Sequence, residues 1–311
     1  MKLKPFESRW FTPSGLSQRI QLRYGLFEPE GKPRGTLVLQ GGRTEFIEKH
    51  TENIAELVAR GFTVWSLDWR GQGLSTRPLA DPHKGHIDEF TTYLTDFHQF
   101  MTDVVEPRTG RPDILMGHSM GGHILTRYLY RYPSAANRAI LVAPMTRINT
   151  GPVPENAMYS IANNACRLGL SREYAASQTS HGPDQESFSR NRLTTDETRF
   201  NAAIAPIRDN PKLALGGITY GWLRAAILSM QKARPKAYLR RVLTPTLLVS
   251  PVNDRVVDPA DHVKVARRLH DGTLHRIHGS DAWYGRDPSR PLLGIEKEWG
   301  LYDGLRKDNG S

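Results

Sequence analysis

Residues 113–122 read Asp-Ile-Leu-Met-Gly-His-Ser-Met-Gly-Gly. Ile114, Leu115 and Met116 form a short apolar run of the kind found in a buried parallel strand. From His118 the pattern turns helical at once, with Ile124, Leu125, Tyr128 and Leu129 along one face. No room is left for an ordinary loop, so the chain turns sharply at Ser119. Gly117 and Gly121 stand two residues to either side, where a side chain would clash. Gly-x-Ser-x-Gly in this setting offers a serine hydroxyl on a strained turn. The helix behind points its N-terminal amides at negative charge developing there. Five such residues also arise by chance, or as a tight structural turn; the strand before and the helix after give them meaning.

Working outward, the same alternation continues on both sides. Upstream, Arg19 to Pro29 reads as one or two antiparallel strands. Thr36 to Gln40 (TLVLQ) reads as a buried strand ending in Gly41-Gly42. Glu45 to Arg60 is helical and stopped by Gly61; Phe62 to Trp69 is a strand; Asp88 to Val105 is a helix. Downstream, Arg138 to Ala143 is a strand, and then the alternation breaks for roughly ninety residues. It returns with a strand at Thr246 to Ser250, a helix at Pro259 to Leu269 and a last strand at Thr273 to Ile277. Alternating strands and helices predict an α/β fold, a mostly parallel sheet flanked by helices. The interruption predicts a lid: residues 1–144 and 241–311 as core, 145–240 as an inserted cap near the sheet's carboxyl edge.

Several segments together resemble the α/β-hydrolases, and within them the bacterial lysophospholipase and monoacylglycerol lipase branch, whose domain is called serine aminopeptidase-like. They are Gly41-Gly42-Arg43-Thr44-Glu45-Phe46, Asp68-Trp69-Arg70-Gly71-Gln72-Gly73-Leu74-Ser75, Gly117 to Gly122 and Asn253-Asp254. In the insertion, Leu193-Thr194-Thr195-Asp196 with Arg199-Phe200, and Gly216-Gly217-Ile218-Thr219 with Trp222, resemble the lysophospholipase lid. The elbow is shared by all serine members of the fold; the lid segment is the more specific match. The resemblance implies Ser119 as nucleophile and an oxyanion hole from the backbone N–H groups of Arg43 and Met120. Each such donor is typically worth about 3–4 kcal/mol. The family usually opens the first loop with His-Gly; here Gly41-Gly42 stands, which a simple strand-end turn would also explain. The Asp68 to Ser75 loop is expected to brace the site, with Asp68 and Arg70 structural.

The resemblance places the triad acid at Asp254, and local sequence agrees. Its rival Asp258 precedes Pro259 and a helix, the pattern of an N-cap with proline at the first helical position. The triad histidine is expected after the last strand, in chain order Ser, Asp, His. The family reads glycine, two residues, histidine. This chain reads Gly279-Ser280-Asp281-Ala282. A serine hydroxyl without a general base is a poor nucleophile, so Ala282 matters more than any other departure. His278 stands nearest and is the candidate base, although a polar residue at a strand end explains it too; His262, His270 and His275 belong to the helix and strand. Alternatively the histidine has been replaced, leaving a binder that turns over poorly. A shifted reading frame is the third account. With suitable codons, the stretch from Ala282 to Asp287 read one nucleotide later gives His-Gly-Met-Glu-Glu. It requires GCA at Ala282.

The rest bounds the class. The 311 residues are 38% hydrophobic and 24% charged, an ordinary globular composition. The start, MKLKPFESRWF, lacks the apolar core and cleavage site of a signal peptide. Cys166 is the single cysteine, which excludes an intrachain disulfide and fits a reducing compartment. A cytoplasmic location is expected, with peripheral contact at the inner membrane an option opened by the net charge of +10. That charge is scattered and meets no nucleic-acid-reading motif, so nucleic acid is not an expected partner. No cofactor or metal is implied. The expected activity is a serine esterase acting on a lipid-like ester, a lysophospholipid or monoacylglycerol. Met145, Met158, Tyr159, Leu168, Leu170, Tyr220, Trp222 and Leu223 are available to an acyl pocket or a lid core. The alternatives are a catalytically impaired or non-enzymatic protein of the same fold, and an amide or lactone hydrolase.

Overall fold

The computed structural model describes residues 6–15, 20–182, 186–190 and 196–278. Its centre is an eight-stranded sheet ordered β1-β2-β4-β3-β5-β6-β7-β8. Two antiparallel strands open it, β1 (Arg9–Phe11) and β2 (Leu22–Phe27), with β2 running antiparallel to β4 (Phe62–Leu67). The remaining pairs are parallel: β3 (Gly35–Gln40) lies between β4 and β5 (Ile114–His118), followed by β6 (Arg138–Val142), β7 (Thr246–Pro251) and β8 (Gly272–Ile277). Both faces of this sheet are covered, so its middle strands are predominantly apolar rather than alternating. Residues Leu37–Leu39, Phe62–Leu67 and Leu247–Val249 are all buried.

Helices α1 (Thr51–Ala59), α2 (Thr91–Phe100), α3 (Glu106–Thr109), α4 (Met120–Arg131) and α9 (Pro259–Arg268) flank the sheet. The expected helix from Glu45 is shorter. Phe46 is extended, and a single 3₁₀ turn, Ile47–His50, leads into α1. Asp88 to Val105 is likewise not one regular helix: α2 ends at Phe100 and passes through a π-helical turn, Met101–Val105. The bulge lets Phe100, Met101 and Val105 all reach the core, where each is fully buried.

Between β6 and β7 the chain forms α5 (Glu155–Arg167), α6 (Glu197–Asp209), α7 (Tyr220–Ala233) and α8 (Lys236–Leu239). Thr219 caps α7, accepting from the Trp222 amide at 3.2 Å, and Asp196 caps α6, accepting from the Arg199 amide. Trp222 and Leu223 join the main core, and Trp222 meets Phe90 edge-on at 5.7 Å. Leu168 and Leu170 do the opposite: both are solvent-exposed, so neither is lid core nor lines an interior acyl pocket. They follow the C-terminus of α5, where the turn carries them off the buried face. Leu193, Thr194 and Thr195 lie outside the described residues, as do Gly279 to Ser311.

Candidate active site

The elbow forms where the sequence places it. Ser119 sits between β5 and α4 with φ 48° and ψ −114°, in a region L-residues rarely enter. Two backbone bonds pin it: its N–H donates to Val142 O at 2.9 Å and its carbonyl accepts from Met145 N–H at 2.9 Å. The flanking glycines are required by contact. A Cβ on Gly117 would lie 2.8 Å from the backbone of Gly121 and Gly122. One on Gly121 would lie 2.5 Å from Gly41 O.

That last contact brings in the second half of the site. The loop after β3 runs directly over the elbow, close enough that a Cβ on Gly42 would stand 3.0 Å from Ser119 Cβ. Gly41-Gly42 is therefore more than a strand-end turn; it is where the backbone approaches the serine. Gly41 O is held by the Trp69 indole N–H at 2.8 Å. Thr44 adopts φ 62°, costly for a β-branched residue, and is kept there by Gln72 Oε1, which accepts its N–H at 2.6 Å. Met120 opens α4, so its amide has no acceptor within the helix. The Arg43 amide has none among the described residues. Both belong to backbone stretches packed against Ser119, as an oxyanion hole needs.

Glu45 ties loop and elbow together, and nothing in the amino-acid pattern beyond its place in the loop marks it for that role. Its Oε2 accepts from Gly42 N–H at 2.5 Å, and its Oε1 is 2.8 Å from His118 Nδ1; His50 Nε2 lies 3.2 Å from Oε2. Burial alone would raise this carboxyl, but the facing His118 and His50 override it and hold it well below the usual carboxylate range.

The Asp68 to Ser75 loop braces the site from below. Asp68 Oδ2 accepts from Arg23 Nε at 2.7 Å and Leu74 N–H at 2.9 Å, while Oδ1 accepts from Ile47 N–H at 3.1 Å. Arg70 makes a two-pronged pair with Asp96, at 2.8 and 2.6 Å. Both side chains are committed to holding loops.

Asp254 follows β7 at the sheet's carboxyl edge. Its Oδ1 accepts from Val256 N–H (2.7 Å) and Val257 N–H (3.0 Å), which fixes the carboxylate and leaves Oδ2 to turn elsewhere. Asp258 is the N-cap of α9, accepting from Ala260 N–H at 2.9 Å with proline next in line. Val252 N–H donates to Ile277 O at 3.0 Å, so the ends of β7 and β8 lie side by side. Asp254 and His278 thus emerge on the same edge. The structure does not join them: His278 is exposed and bonds to neither Asp254 nor Ser119. Ala282 lies outside the described residues. Elsewhere, His262 is committed to Ser250 Oγ and Pro144 O, both at 2.8 Å, and His123 to Ser229 Oγ at 2.6 Å.

A model of the family described as Hydrolase_4, serine aminopeptidase S33, matches residues 31–280. The chain belongs to this family. Lysophospholipase L2 of Escherichia coli (strain K12) is 34% identical over 260 residues, covering 84% of this chain and 75% of that protein. Human monoglyceride lipase is 24% identical over 271 residues, covering 84% and 81%. Among solved structures, a thermostable carboxyl esterase from Bacillus coagulans superposes with a TM-score of 0.72 at 16% identity, over 94% of this chain and 96% of that one. A soluble variant of Saccharomyces cerevisiae monoglyceride lipase gives 0.70 at 16%, over 94% of each chain. At such identities the superpositions speak to the fold alone. The S33 hydrolase fold thus holds the strained Ser119, the glycine loop above it and an aspartate past β7 in the expected order.

Proposed function

We propose that this chain is a serine hydrolase that cleaves the acyl ester of a monoacyl lipid, a lysophospholipid or monoacylglycerol, through an acyl-enzyme on Ser119. The observation that carries the reading is the strained Ser119 with the Gly41–Arg43 loop packed onto it. The relatives named as lysophospholipase and monoglyceride lipase support the lipid ester over the amide or lactone alternatives.

The Ser119 hydroxyl attacks the ester carbonyl and gives up its proton to a base. The carbonyl oxygen becomes an oxyanion between the Arg43 and Met120 amides, charge met by fixed dipoles that need no reorganisation. The bond to the glycerol oxygen breaks, that oxygen takes the proton, and the acyl group stays on Ser119. Water then repeats the sequence and frees the fatty acid. In this reading Asp254 orients a base. The base itself is the weak member of this set: none of the eleven histidines lies beyond Gly279. That absence favours a second reading, a chain that keeps the pocket and turns over slowly. Fatty-acid release from lysophosphatidylcholine and from monoacylglycerol, with and without Ser119→Ala, tests the proposal. Release that survives the substitution overturns it.

Membrane contact is part of the same proposal. Ile161, Leu168, Leu170 and Leu228 are all exposed on α5, the turn after it and α7, with Arg167 and Arg172 beside them, also exposed. Exposed apolar side chains with cations beside them suit an anionic bilayer surface. Among the described residues no helix is long and apolar enough to cross a membrane. A cytoplasmic enzyme reaching lipid at the inner membrane fits this arrangement. Salt-sensitive sedimentation with anionic vesicles tests it, and equal recovery with neutral vesicles counts against it.

A further inference from the structure

Arg43 offers a side chain as well as a backbone amide. The guanidinium reaches toward the inserted segment, where Nη1 and Nη2 both donate to one acceptor, Gly216 O, at 2.9 and 3.0 Å. Its Cζ lies 5.9 Å from the centre of the Trp222 ring. Among the described residues no carboxylate pairs with it. Most other arginines of the core are treated differently; Arg127, which donates to Ser229 Oγ and has no carboxylate partner among the described residues, is the exception. Arg23 is paired with Glu48 and Asp68, Arg70 with Asp96, Arg234 with Glu155. Arg77 lacks such a partner at contact distance but shares its donors among the carbonyls of Gly71, Gly73, Pro82, Lys212 and Ala214. Arg43 has one carbonyl for five N–H donors. Burial lowers it to about 10, since only Tyr93 works in the opposite direction. It remains a cation at neutral pH, and among the described residues no carboxylate compensates its charge.

The position gives this charge a use. The amide of Arg43 belongs to the proposed oxyanion hole, and five bonds separate its Cα from the guanidinium carbon. Fully extended, such a side chain reaches roughly 6 Å from the backbone. In a lysophospholipid six bonds separate the ester carbonyl carbon from phosphorus, an extended span of about 7 Å. The two spans match. Arginine is also chemically suited to a phosphodiester, because its planar fork meets two phosphate oxygens at once and it is less strongly hydrated than lysine. Gly216 O and the Trp222 face hold the fork in place before any ligand arrives, which lowers the ordering cost of binding.

We infer that the Arg43 guanidinium is the phosphate subsite of this enzyme, binding the phosphodiester of a lysophospholipid whose ester carbonyl lies at Ser119. The inference rests on the lipid-ester reading and sharpens it: the phosphate-bearing substrate is preferred over the neutral monoacylglycerol. Binding is the right test, because it does not depend on the missing base. Two non-hydrolysable ethers of equal chain length, decylglycerol ether and its phosphocholine counterpart, are titrated calorimetrically into the full chain below their micelle concentrations. Inorganic phosphate is titrated separately.

Wild type is expected to bind the phosphocholine ether at least about tenfold more tightly, the value of one charged hydrogen-bond pair. Arg43→Gln is expected to bring the two affinities within about twofold of each other, and Arg43→Lys to retain part of the preference. An unchanged preference in Arg43→Gln overturns the subsite while leaving the lipid reading intact. So does an equal loss for both ethers, which would make the side chain a strap between loop and lid. Inorganic phosphate binding that is lost in Arg43→Gln, with no preference between the ethers, would assign the site to free phosphate and overturn the lipid subsite. If neither ether binds wild type, the lipid reading itself fails, and the subsite with it.

Discussion

The Cβ that Gly121 lacks would stand 2.5 Å from the carbonyl oxygen of Gly41. That separation fixes how close the loop after β3 comes to the first turn of α4, and so how the two amides of the proposed oxyanion hole face each other. Gly121→Ala is expected to push the loop away. We expect a loss of about 1–3 kcal/mol in stability, as for other overpacked sites. Fluorophosphonate labelling of Ser119 should slow by at least about 100-fold, as when one oxyanion donor is lost. Urea unfolding and timed labelling measure the two effects.

Glu45 joins the same loop to the elbow through Gly42 N–H and His118. Glu45→Gln is expected to cost about 2–3 kcal/mol, the range for hydrogen bonds to a charged group. The carboxyl is held below its ordinary value, so its contribution is full above the unfolded value near 4.5 and is lost as pH falls through the lower folded value. The variant should therefore differ from wild type in urea midpoint at pH 7 and converge with it in strong acid.

Asp68 is buried and accepts three bonds, including one from the Arg23 guanidinium. Asp68→Asn leaves Arg23 with Glu48 alone and is expected to destabilise the fold by about 3 kcal/mol, as when one member of a buried pair is removed. Since Asp68 touches no reacting atom, the labelling rate of the folded fraction should fall far less than for Gly121→Ala. A larger fall would contradict its bracing role.

His123 is fully buried between Ser229 and Phe90, and burial, with Arg127 and Arg234 adding to it, lowers it to about 3. A folded value below the unfolded 6.5 means the unfolded chain takes up the proton first. Stability from this group is complete above about pH 6.5 and lost as pH falls toward 3, at about 1.4 kcal/mol per pH unit. Between pH 7 and pH 5 its share is about 2 kcal/mol. His123→Gln should be less stable at pH 7 but lose less on acidification, which urea midpoints at the two pH values will show.

Much of this molecule was legible in advance, for reasons that differ by residue. The parallel strands are legible because burial on both faces makes them predominantly apolar, as in Leu37 to Leu39 and Leu247 to Val249. The elbow was legible because backbone strain demands glycine at fixed offsets. The capping role of Asp258 is legible because an aspartate before proline at a helix start is a local signature. Glu45 was not singled out, since its partners Gly42, His118 and His50 come together only in the folded chain. The exposure of Leu168 and Leu170 is not legible either, because an apolar residue after a helix looks the same in sequence whether it turns inward or out. The Arg43 side chain has no mark in the sequence, because only the fold shows that no carboxylate pairs with it among the described residues. Ala282 is a reading of sequence alone and lies outside the described residues.

In the proposed reaction Ser119 forms an acyl-enzyme with a monoacyl lipid ester. Hydrolysis of lysophosphatidylcholine by wild type, Ser119→Ala and Ala282→His, with mass-spectrometric location of the fluorophosphonate adduct, tests it most directly. An adduct on Ser119 is expected, with slow release by wild type, none by Ser119→Ala, and a rise of roughly 10²–10⁴-fold with Ala282→His, the usual contribution of a positioned general base. Hydrolysis that persists in Ser119→Ala, or an adduct on another residue, would contradict it.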